Sequence, residues 1–360
     1  FMAWIVANSS PLSKGEVRWG FVISSSVQAV IGLWQFFSQV TVANKFLGWA
    51  EHPVWQPGTS VIEVAGPALR SLGEGGERWL RAYASFPHPN MFGGWMAVAI
   101  LVVIYQYSLS KSKGLRSFMS VVLVILSAGL AVSFSRSAWI AAVIGMSAFV
   151  IAREAMPTVA ISDRGLLRPA RNDIFLALLI ILLSFCTTIL PYHHLLSTRV
   201  QATARLEQQS ISEREQQYGQ AWELIRHQKV HSMQGVAGMG NDTVAVARNH
   251  PELPIWNIQP VHNVFVLMAA EIHWTGLLFF LIVLYYILKH ILGMPQMGSL
   301  KNHWKKILSP QNPFGLSLFV AWIVLLSLDH YLWSLHGGLL LSGVVVGFLL
   351  TNQENELKMA

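Results

Sequence analysis

Two arginines and a histidine have the residue types and settings to act on an anionic substrate. Arg136 stands between two serines in a short turn that separates two apolar runs, where a guanidinium suits a bidentate contact with phosphate. Arg214 follows Ser212 at the predicted start of a helix, where backbone N–H groups favour anions. His262, followed by Asn263 where a polar segment enters an apolar run, is the residue type most often used as a general base.

Structural roles are the alternatives for all three residues. Arg136 could snorkel towards lipid headgroups, Arg214 could pair with the neighbouring glutamates, and His262 could be an interfacial histidine. A metal site is a weaker functional hypothesis than a general base, because His193 and His194 are adjacent and no H-E-x-x-H pattern occurs. The sequence therefore predicts no metal and no other cofactor.

The elements that hold these residues are membrane spans. The chain is 53% hydrophobic and only 12% charged, with a mean hydropathy of +0.46, whereas soluble domains carry about 25% charged residues. We predict an all-α polytopic transmembrane helical bundle that forms one domain over 1–360. About eight spans follow a stub at 1–8, which indicates an N-terminal truncation. The predicted spans are 19–40, 91–109, 117–135, 137–152, 173–190, 263–288, 313–329 and 337–351.

The basic residues indicate the orientation of these spans. Short basic loops around 14–18, 111–116, 153–171 and 289–306 alternate with polar segments along the chain, so the positive-inside rule makes the basic loops cytoplasmic. Topology also explains the net charge of +7 without a nucleic-acid partner. The opposite side receives an outer loop at 41–90, a large loop at 192–262 and tight turns around 133–137 and 329–336.

The large loop contains a predicted amphipathic helix at 212–229. Ser212 followed by Glu215 has the pattern of a capping box, and Tyr218, Trp222 and Ile225 recur at helical spacing. The span after His262 is longer than a bilayer requires. We therefore expect its first turns, with Glu271, to stand at the outer surface.

Several short motifs, in this order, resemble the bacterial O-antigen ligase and O-antigen polymerase superfamily over roughly residues 85–350. The motifs are Phe86-Pro87-His88-Pro89-Asn90, Phe134-Ser135-Arg136-Ser137-Ala138-Trp139, Ser212-Glu213-Arg214 with Trp222, the glycine-rich stretch 235–241, Val261-His262-Asn263 leading into Glu271 and Gly276, and Asp329-His330-Tyr331-Leu332-Trp333.

The resemblance implies a GT-C-type membrane glycosyltransferase of the bacterial inner membrane. Such an enzyme transfers a preassembled glycan from undecaprenyl diphosphate to a lipid A core or another glycan at the periplasmic face, without a metal, and its C-terminus is cytoplasmic. Our hypothesis is that Arg136 and Arg214 bind the diphosphate and that His262 deprotonates the acceptor hydroxyl in an inverting attack. The further predicted substrate-side residues are His88, Asn90, Tyr218, Trp222, Asn263, Glu271, Asp329 and His330. Glu271 or Asp329 would orient His262, and Tyr218, Trp222 or a further aromatic residue, Trp256, would stack on sugar.

Other functions remain open at the level of the sequence. The acceptor could be a growing glycan, as in an O-antigen polymerase, or a protein, as in an O-oligosaccharyltransferase. From another class, the chain could be a lipid-linked sugar flippase or a transporter, although its spans are nearly free of ionisable residues. The predicted partners are a lipid-linked glycan donor, a glycan or glycolipid acceptor and the lipid bilayer.

Overall fold

The structure is a computed structural model of the 360-residue chain. It describes residues 11–64, 77–155, 171–201, 205–227, 258–294 and 312–350, together with Thr243 and Val246. The elements in chain order are α1 Pro11–Ser38, β1 Val61–Val64, β2 Glu77–Leu80, α2 Pro89–Leu109, α3 Lys113–Val132, α4 Arg136–Glu154, α5 Arg171–Ile189, α6 His193–Gln201, α7 Arg205–His227, α8 Val264–Ile291, α9 Pro313–Leu328, α10 Tyr331–Ser334 and α11 His336–Leu350. The predicted stub at 1–8, the glycine-rich stretch 235–241 and Trp256 lie outside the described residues.

The described helices confirm an all-α polytopic membrane protein. Six are long and apolar enough to cross a membrane: α1 to α4, the segment that begins with α5, and α8. Two shorter apolar helices, α9 and α11, supply the other predicted spans. The exception to the helical fold is an antiparallel hairpin of β1 and β2, in which Val61 lies opposite Leu80.

The bundle is organised around α2, most of which is buried. α2 begins at Pro89 because proline has a helical φ and no N–H to leave unpaired in the first turn, while His88 Nδ1 accepts a hydrogen bond from the Asn90 N–H at 3.1 Å. The helix packs against α1, α3, α4 and α9. Because α2 is central, the residues at its first turn can contact several other elements.

The helices alternate in direction, so the bundle has two distinct ends. At one end of the bundle, α1, α3, α5 and α9 finish and α2, α4, α8 and α11 begin. We call this end the site end. The opposite end, with Arg18, Arg116 and Arg153, is the basic end. This alternation agrees with the predicted arrangement of spans, loops and tight turns.

Two glycines fix the turn between α9 and α11 at the site end. A Cβ on Gly94 would collide with the hydroxyl of Tyr331, and one on Gly338 would collide with the Tyr331 carbonyl oxygen. Tyr331 is itself buried. Close packing against these glycines therefore holds the preceding pair, Asp329 and His330, in place.

The predicted helix at 212–229 is corrected by the structure, which places α7 over Arg205–His227. The residues before Ser212 include Leu206, Glu207 and two glutamines, all good helix formers. Gln209 also donates a hydrogen bond to Glu213 one turn later at 2.8 Å. Ser212 therefore lies inside the helix and caps nothing, and Arg214 does not lie at a helix N-terminus.

Helix α8 is broken near Glu271. Ile272 and His273 have non-helical backbone angles, and His273 has φ of 61°. The part from 274 to 291 would be about 27 Å long at the usual rise of about 1.5 Å per residue, which is close to the hydrocarbon thickness of about 30 Å. The first two turns, including Glu271, are therefore surplus to a membrane span, in agreement with the sequence prediction.

Candidate active site

A chain of buried hydrogen bonds crosses the site end. Arg81 Nη2 donates to Asn90 Oδ1 at 2.7 Å, and Asn90 Nδ2 donates to Asp329 Oδ2 at 2.7 Å. Arg81 Nε also donates to the carbonyl oxygen of Ser133 at 2.9 Å. The loop before α2, the first turn of α2, the α3–α4 turn and the α9–α10 turn are thereby tied together.

Arginines gather around a single carboxylate beside this chain. Arg199 forms a short ion pair with Glu207 Oε1, and Arg136 Nη2 lies 3.6 Å from Glu207 Oε2. Arg136 Nη1 also donates to the carbonyl oxygen of Arg199 at 3.1 Å. Arg81 is close enough for the charges of Arg136, Arg199 and Glu207 to act on it. We call Arg81, Arg136, Arg199 and Glu207 the arginine cluster.

The arginine cluster carries positive charge in excess. Arg81, Arg199 and Glu207 are buried, while the side chain of Arg136 is 33% exposed. Glu207 pairs with Arg136 and Arg199, and Arg81 adds a third guanidinium without a carboxylate of its own in the cluster. Buried charge that lacks a counter-ion is strongly unfavourable. The partly exposed Arg136 is the point at which an anion from outside could reach this charge.

Arg214 connects the arginine cluster to the predicted base. Its charge acts on both Arg136 and His262. Its Nε is buried and makes no hydrogen bond to any described residue. The predicted trio of Arg136, Arg214 and His262 is thus brought into one region, with an unused guanidinium donor inside it.

His262 precedes α8 and contacts α7. Its Nδ1 lies 2.7 Å from Gln217 Oε1, and its ring packs edge-on against the His330 ring with centroids 4.9 Å apart. The two helices are joined by an apolar contact cluster that includes Ala221, Leu224, Leu267 and Ala270. Packing of α7 on α8 therefore sets the position of the imidazole.

Burial favours the neutral forms of His88, His262 and His330. Desolvation lowers the pKa of His262 to about 4, although the charge of Asp329 opposes this shift. Desolvation also lowers the pKa of His88 to about 3 and lowers the pKa of His330. The pKa of Asp329 is lowered because His330, His262 and His88 favour its charged form against the effect of burial. At neutral pH the site therefore holds neutral imidazoles beside an ionised Asp329, the state that a general base requires.

His262, Asp329 and His330 also raise the question of a metal site. A ring nitrogen of each histidine and a carboxylate oxygen of Asp329 all lie within 4.8 Å of one another, which is close enough to share a divalent cation. Two features oppose a cation there. The charge of Arg214 acts on both histidines, and the oxygens of Asp329 already accept hydrogen bonds from Asn90 Nδ2 and the His330 N–H.

Two exposed aromatic side chains lie on α7 beyond the trio. Tyr218 and Trp222 follow Arg214 at intervals of four residues, which is the spacing of one helix face. They are 41% and 46% exposed, and the Arg226 guanidinium lies over the Trp222 ring at 5.3 Å. Their predicted role in stacking on sugar remains a prediction.

The other predicted substrate-side residues have contacts within the protein. Asn263 Oδ1 caps α8 by accepting hydrogen bonds from the N–H groups of Phe265 and Val266. Glu271 Oε2 accepts a hydrogen bond from Trp333 Nε1 at 2.8 Å. The described hydrogen-bond partner of the His262 ring is Gln217, and not the predicted Glu271 or Asp329, although Asp329 lies near it.

Four residues at the site were not predicted from the sequence: Arg81, Arg199, Glu207 and Gln217. A weak signal existed for the arginines, because positive charge is disfavoured on the outer side of the membrane. Gln217 had no such signal, since a glutamine in a polar helix is ordinary. Its contact with His262 spans 45 residues of sequence.

A comparison with known protein families finds a match for part of the chain. Residues 121–281 match the family model described as O-antigen ligase. No curated protein and no solved structure matches the chain. The matched region runs from α3 into α8 and contains Arg136, Arg214 and His262, the same residues that the structure gathers at the site end. Over these residues the chain is similar to the O-antigen ligase family, which supports the predicted resemblance to the O-antigen ligase and O-antigen polymerase superfamily.

Proposed function

We propose that this protein transfers a preassembled glycan from a polyprenyl (undecaprenyl) diphosphate carrier to a hydroxyl of a lipid A core or another glycan. The transfer is metal-independent and inverts the anomeric carbon. The site end faces the periplasm and the basic end faces the cytoplasm of the inner membrane, because the arginine-rich loops of the basic end follow the positive-inside rule.

The observation that carries the proposal is the surplus of buried positive charge beside a neutral histidine. Arg136 and Arg199 pair with Glu207, Arg81 adds a further buried guanidinium nearby, and Arg214 adds an unused donor close to His262. A diphosphate diester carries one negative charge on each phosphate, which this surplus would neutralise. A lipid-linked diphosphate also reaches a site at one end of a membrane bundle without leaving the bilayer.

Different residues act on the acceptor and on the leaving group. His262 takes the proton of the acceptor hydroxyl while the acceptor oxygen attacks the anomeric carbon of the donor. The bond from that carbon to the diphosphate oxygen breaks, and the diphosphate leaves with the electron pair. Arg136 and Arg214 stabilise the charge that develops on the leaving group. Asp329 stabilises the imidazolium formed at His262, whose proton then passes to water.

The test is a transfer assay with the purified chain in lipid nanodiscs, a polyprenyl-diphosphate glycan and EDTA. We expect transfer in EDTA, a loss of about 10²–10³-fold in Arg136→Ala and Arg214→Ala, and a loss of about 10²–10⁴-fold in His262→Ala. Arg116→Ala at the basic end is the matched arginine control and should retain wild-type transfer. Thermal unfolding of each variant separates lost chemistry from lost folding.

The outcomes distinguish the competing functions. Full activity in folded His262→Ala would contradict the base, and loss of activity in EDTA that returns with a divalent cation would contradict the metal-independent mechanism. A panel of lipid A core, lipid-linked glycan and protein acceptors separates a ligase from an O-antigen polymerase or a protein O-oligosaccharyltransferase. Movement of the donor across the membrane without transfer would identify a flippase or transporter.

A further inference from the structure

The His262 ring has a buried polar partner on the neighbouring helix. Gln217 Oε1 lies 2.7 Å from His262 Nδ1, and Gln217 is only 5% exposed. An amide oxygen has lone pairs and no proton, so it can only accept a hydrogen bond. The proton of the neutral imidazole therefore lies on Nδ1, and the lone pair lies on Nε2.

We propose that Gln217 is a positioning residue that fixes the tautomer of His262, so that Nε2 is the nitrogen that accepts the acceptor's proton. This inference rests on the proposed function and adds a residue to it. Gln217 acts through His262 and does not itself contact the reacting atoms. In other enzymes that use a histidine base, a partner on the second ring nitrogen has the same effect.

A neutral partner suits the surroundings of this base. The charged and titratable groups that act on His262 are Asp329, His330 and Arg214. A carboxylate in place of the Gln217 amide would favour the imidazolium and raise the pKa of His262. The amide orients the ring without adding negative charge, so His262 remains unprotonated over a wide range of pH.

The location of Gln217 also links the base to the leaving-group site. Gln217 and Arg214 are three residues apart on α7, which places them on neighbouring positions of one helix face. The same helix is packed on α8 through Ala221 and Leu224. One rigid element therefore holds both the group that orients the base and the group that would contact the diphosphate.

The test compares Gln217→Leu and Gln217→Glu with the same two substitutions at Gln216, an exposed glutamine beside it on α7. We expect Gln217→Leu to lower kcat by about 10-fold to 100-fold, within the range of general-base effects, and to leave the KM for the lipid-linked donor unchanged. Gln217→Glu should retain more activity than Gln217→Leu. In Gln217→Glu, the acid limb of the plot of kcat/KM against pH should move to higher pH by about one pH unit or more. The Gln216 variants should match the wild type.

Two results would overturn the proposal: wild-type kcat in Gln217→Leu, or an acid limb in Gln217→Glu that coincides with that of the wild type. A purely structural role for Gln217 would lower activity in both variants without moving the acid limb.

The ¹⁵N chemical shifts of the His262 ring, assigned by comparison with His262→Gln, give a readout that needs no glycan transfer. Wild-type protein should show a proton on Nδ1, and Gln217→Leu should lose this preference. Absence of transfer with that tautomer present would refute the proposed function and leave the positioning role standing, whereas a proton on Nε2 in the wild type would refute the positioning role.

Discussion

At the basic end of the bundle the described arginines Arg18, Arg116 and Arg153 each contact a different group, whereas at the site end Arg136 and Arg199 pair with the same carboxylate, Glu207. Arg116 Nη1 lies 2.8 Å from Asp173 Oδ2, and Arg153 Nη1 donates to Ser108 Oγ at 3.1 Å. Arg18 lies over a set of aromatic rings, with the nearest centroid 5.2 Å away. These rings belong to Tyr105, Phe314 and Phe348.

The difference shows how structural and ligand-binding arginines can be separated in one protein. At the basic end Arg116 has a carboxylate partner, Arg153 donates to a hydroxyl and Arg18 lies against aromatic rings. The arginine cluster at the site end is satisfied only in part by Glu207. The side chain of Arg136 is 33% exposed, so an anionic ligand could reach the arginine cluster, whereas Arg18 is buried.

Backbone strain is distributed in the same way. Among the described residues, the non-glycine residues with positive φ are Gln39, Ala84, Phe134 and His273. Three of them flank helix ends at the site end, and His273 lies at the break in α8. At the basic end the positive φ after α8 belongs to Gly293, which adopts it without a steric penalty. Strained residues of this kind cluster at functional sites.

The largest expected effect comes from removing the shared carboxylate. Glu207→Gln leaves the buried guanidinium groups without a counter-ion, and we expect a loss of about 3–5 kcal/mol of stability. Asp173→Asn is the matched change at the basic end. It removes the partner of Arg116, but both side chains of that pair are about a quarter exposed, so the loss should be below about 1 kcal/mol.

Thermal unfolding in nanodiscs measures both variants. Inorganic pyrophosphate should raise the Tm of Glu207→Gln more than the Tm of wild type, because it replaces the lost negative charge. It should not raise the Tm of Asp173→Asn more than that of wild type. Equal losses of stability in the two variants would contradict the contrast between the two ends.

The spans of the fold were predictable because a membrane helix is specified by the length of its apolar run. The predicted span at 91–109 corresponds to α2 at Pro89–Leu109, and the predicted turn at 133–137 lies between α3 and α4. The start of α7 was not predictable from local sequence. Ser212 and Glu215 have the pattern of a capping box, yet the helix continues through them because the preceding residues also favour helix.

The site was predictable only where topology made a residue unusual. In the predicted topology Arg136 and Arg214 are positive charges on the outer, disfavoured side of the membrane, and His262 stands at the entry to a span. Gln217 and Arg81 have no such distinction, because their roles arise from contacts across the fold. The same holds for the bond between Asn90 and Asp329, whose sequence separation is 239 residues.

An intermediate effect is expected from acidification. The pKa of His88 is lowered to about 3 and that of His262 to about 4. In the unfolded chain both histidines would have a pKa of about 6.5. Between these values the unfolded chain binds more protons, so stability is lost as the pH falls from 7 towards 4. At pH 5 the loss should reach at most about 2 kcal/mol for each histidine.

His88→Asn tests the assignment of this loss. Asparagine retains a side chain that can cap α2 but removes the titrating imidazole, so its Tm should fall less between pH 7 and pH 5 than that of wild type. The same substitution at His193, which is exposed at the start of α6, is the control and should leave the pH dependence unchanged. A Tm that rises on acidification would show that the site-end histidines are not buried in their neutral form.

The smallest expected effect tests backbone strain at the two ends. Ala84 has φ of 52°, and both its N–H and its carbonyl oxygen bond the Gln35 side chain, which holds the loop between Arg81 and His88. Left-handed backbone costs an alanine about 1–2 kcal/mol, while glycine adds about 0.4–1 kcal/mol of unfolded-state entropy. Ala84 is also buried in the core, so the loss of its methyl group costs about 0.8 kcal/mol. Ala84→Gly should therefore change the stability of the protein by less than about 1 kcal/mol. Gly293→Ala at the basic end, with φ of 60°, should destabilise the protein by a similar or larger amount.

Thermal unfolding of the two variants gives the sign of each change in stability. A loss of more than about 1 kcal/mol in Ala84→Gly would mean that the backbone there is not strained, and the contrast in strain between the two ends would not hold at this loop.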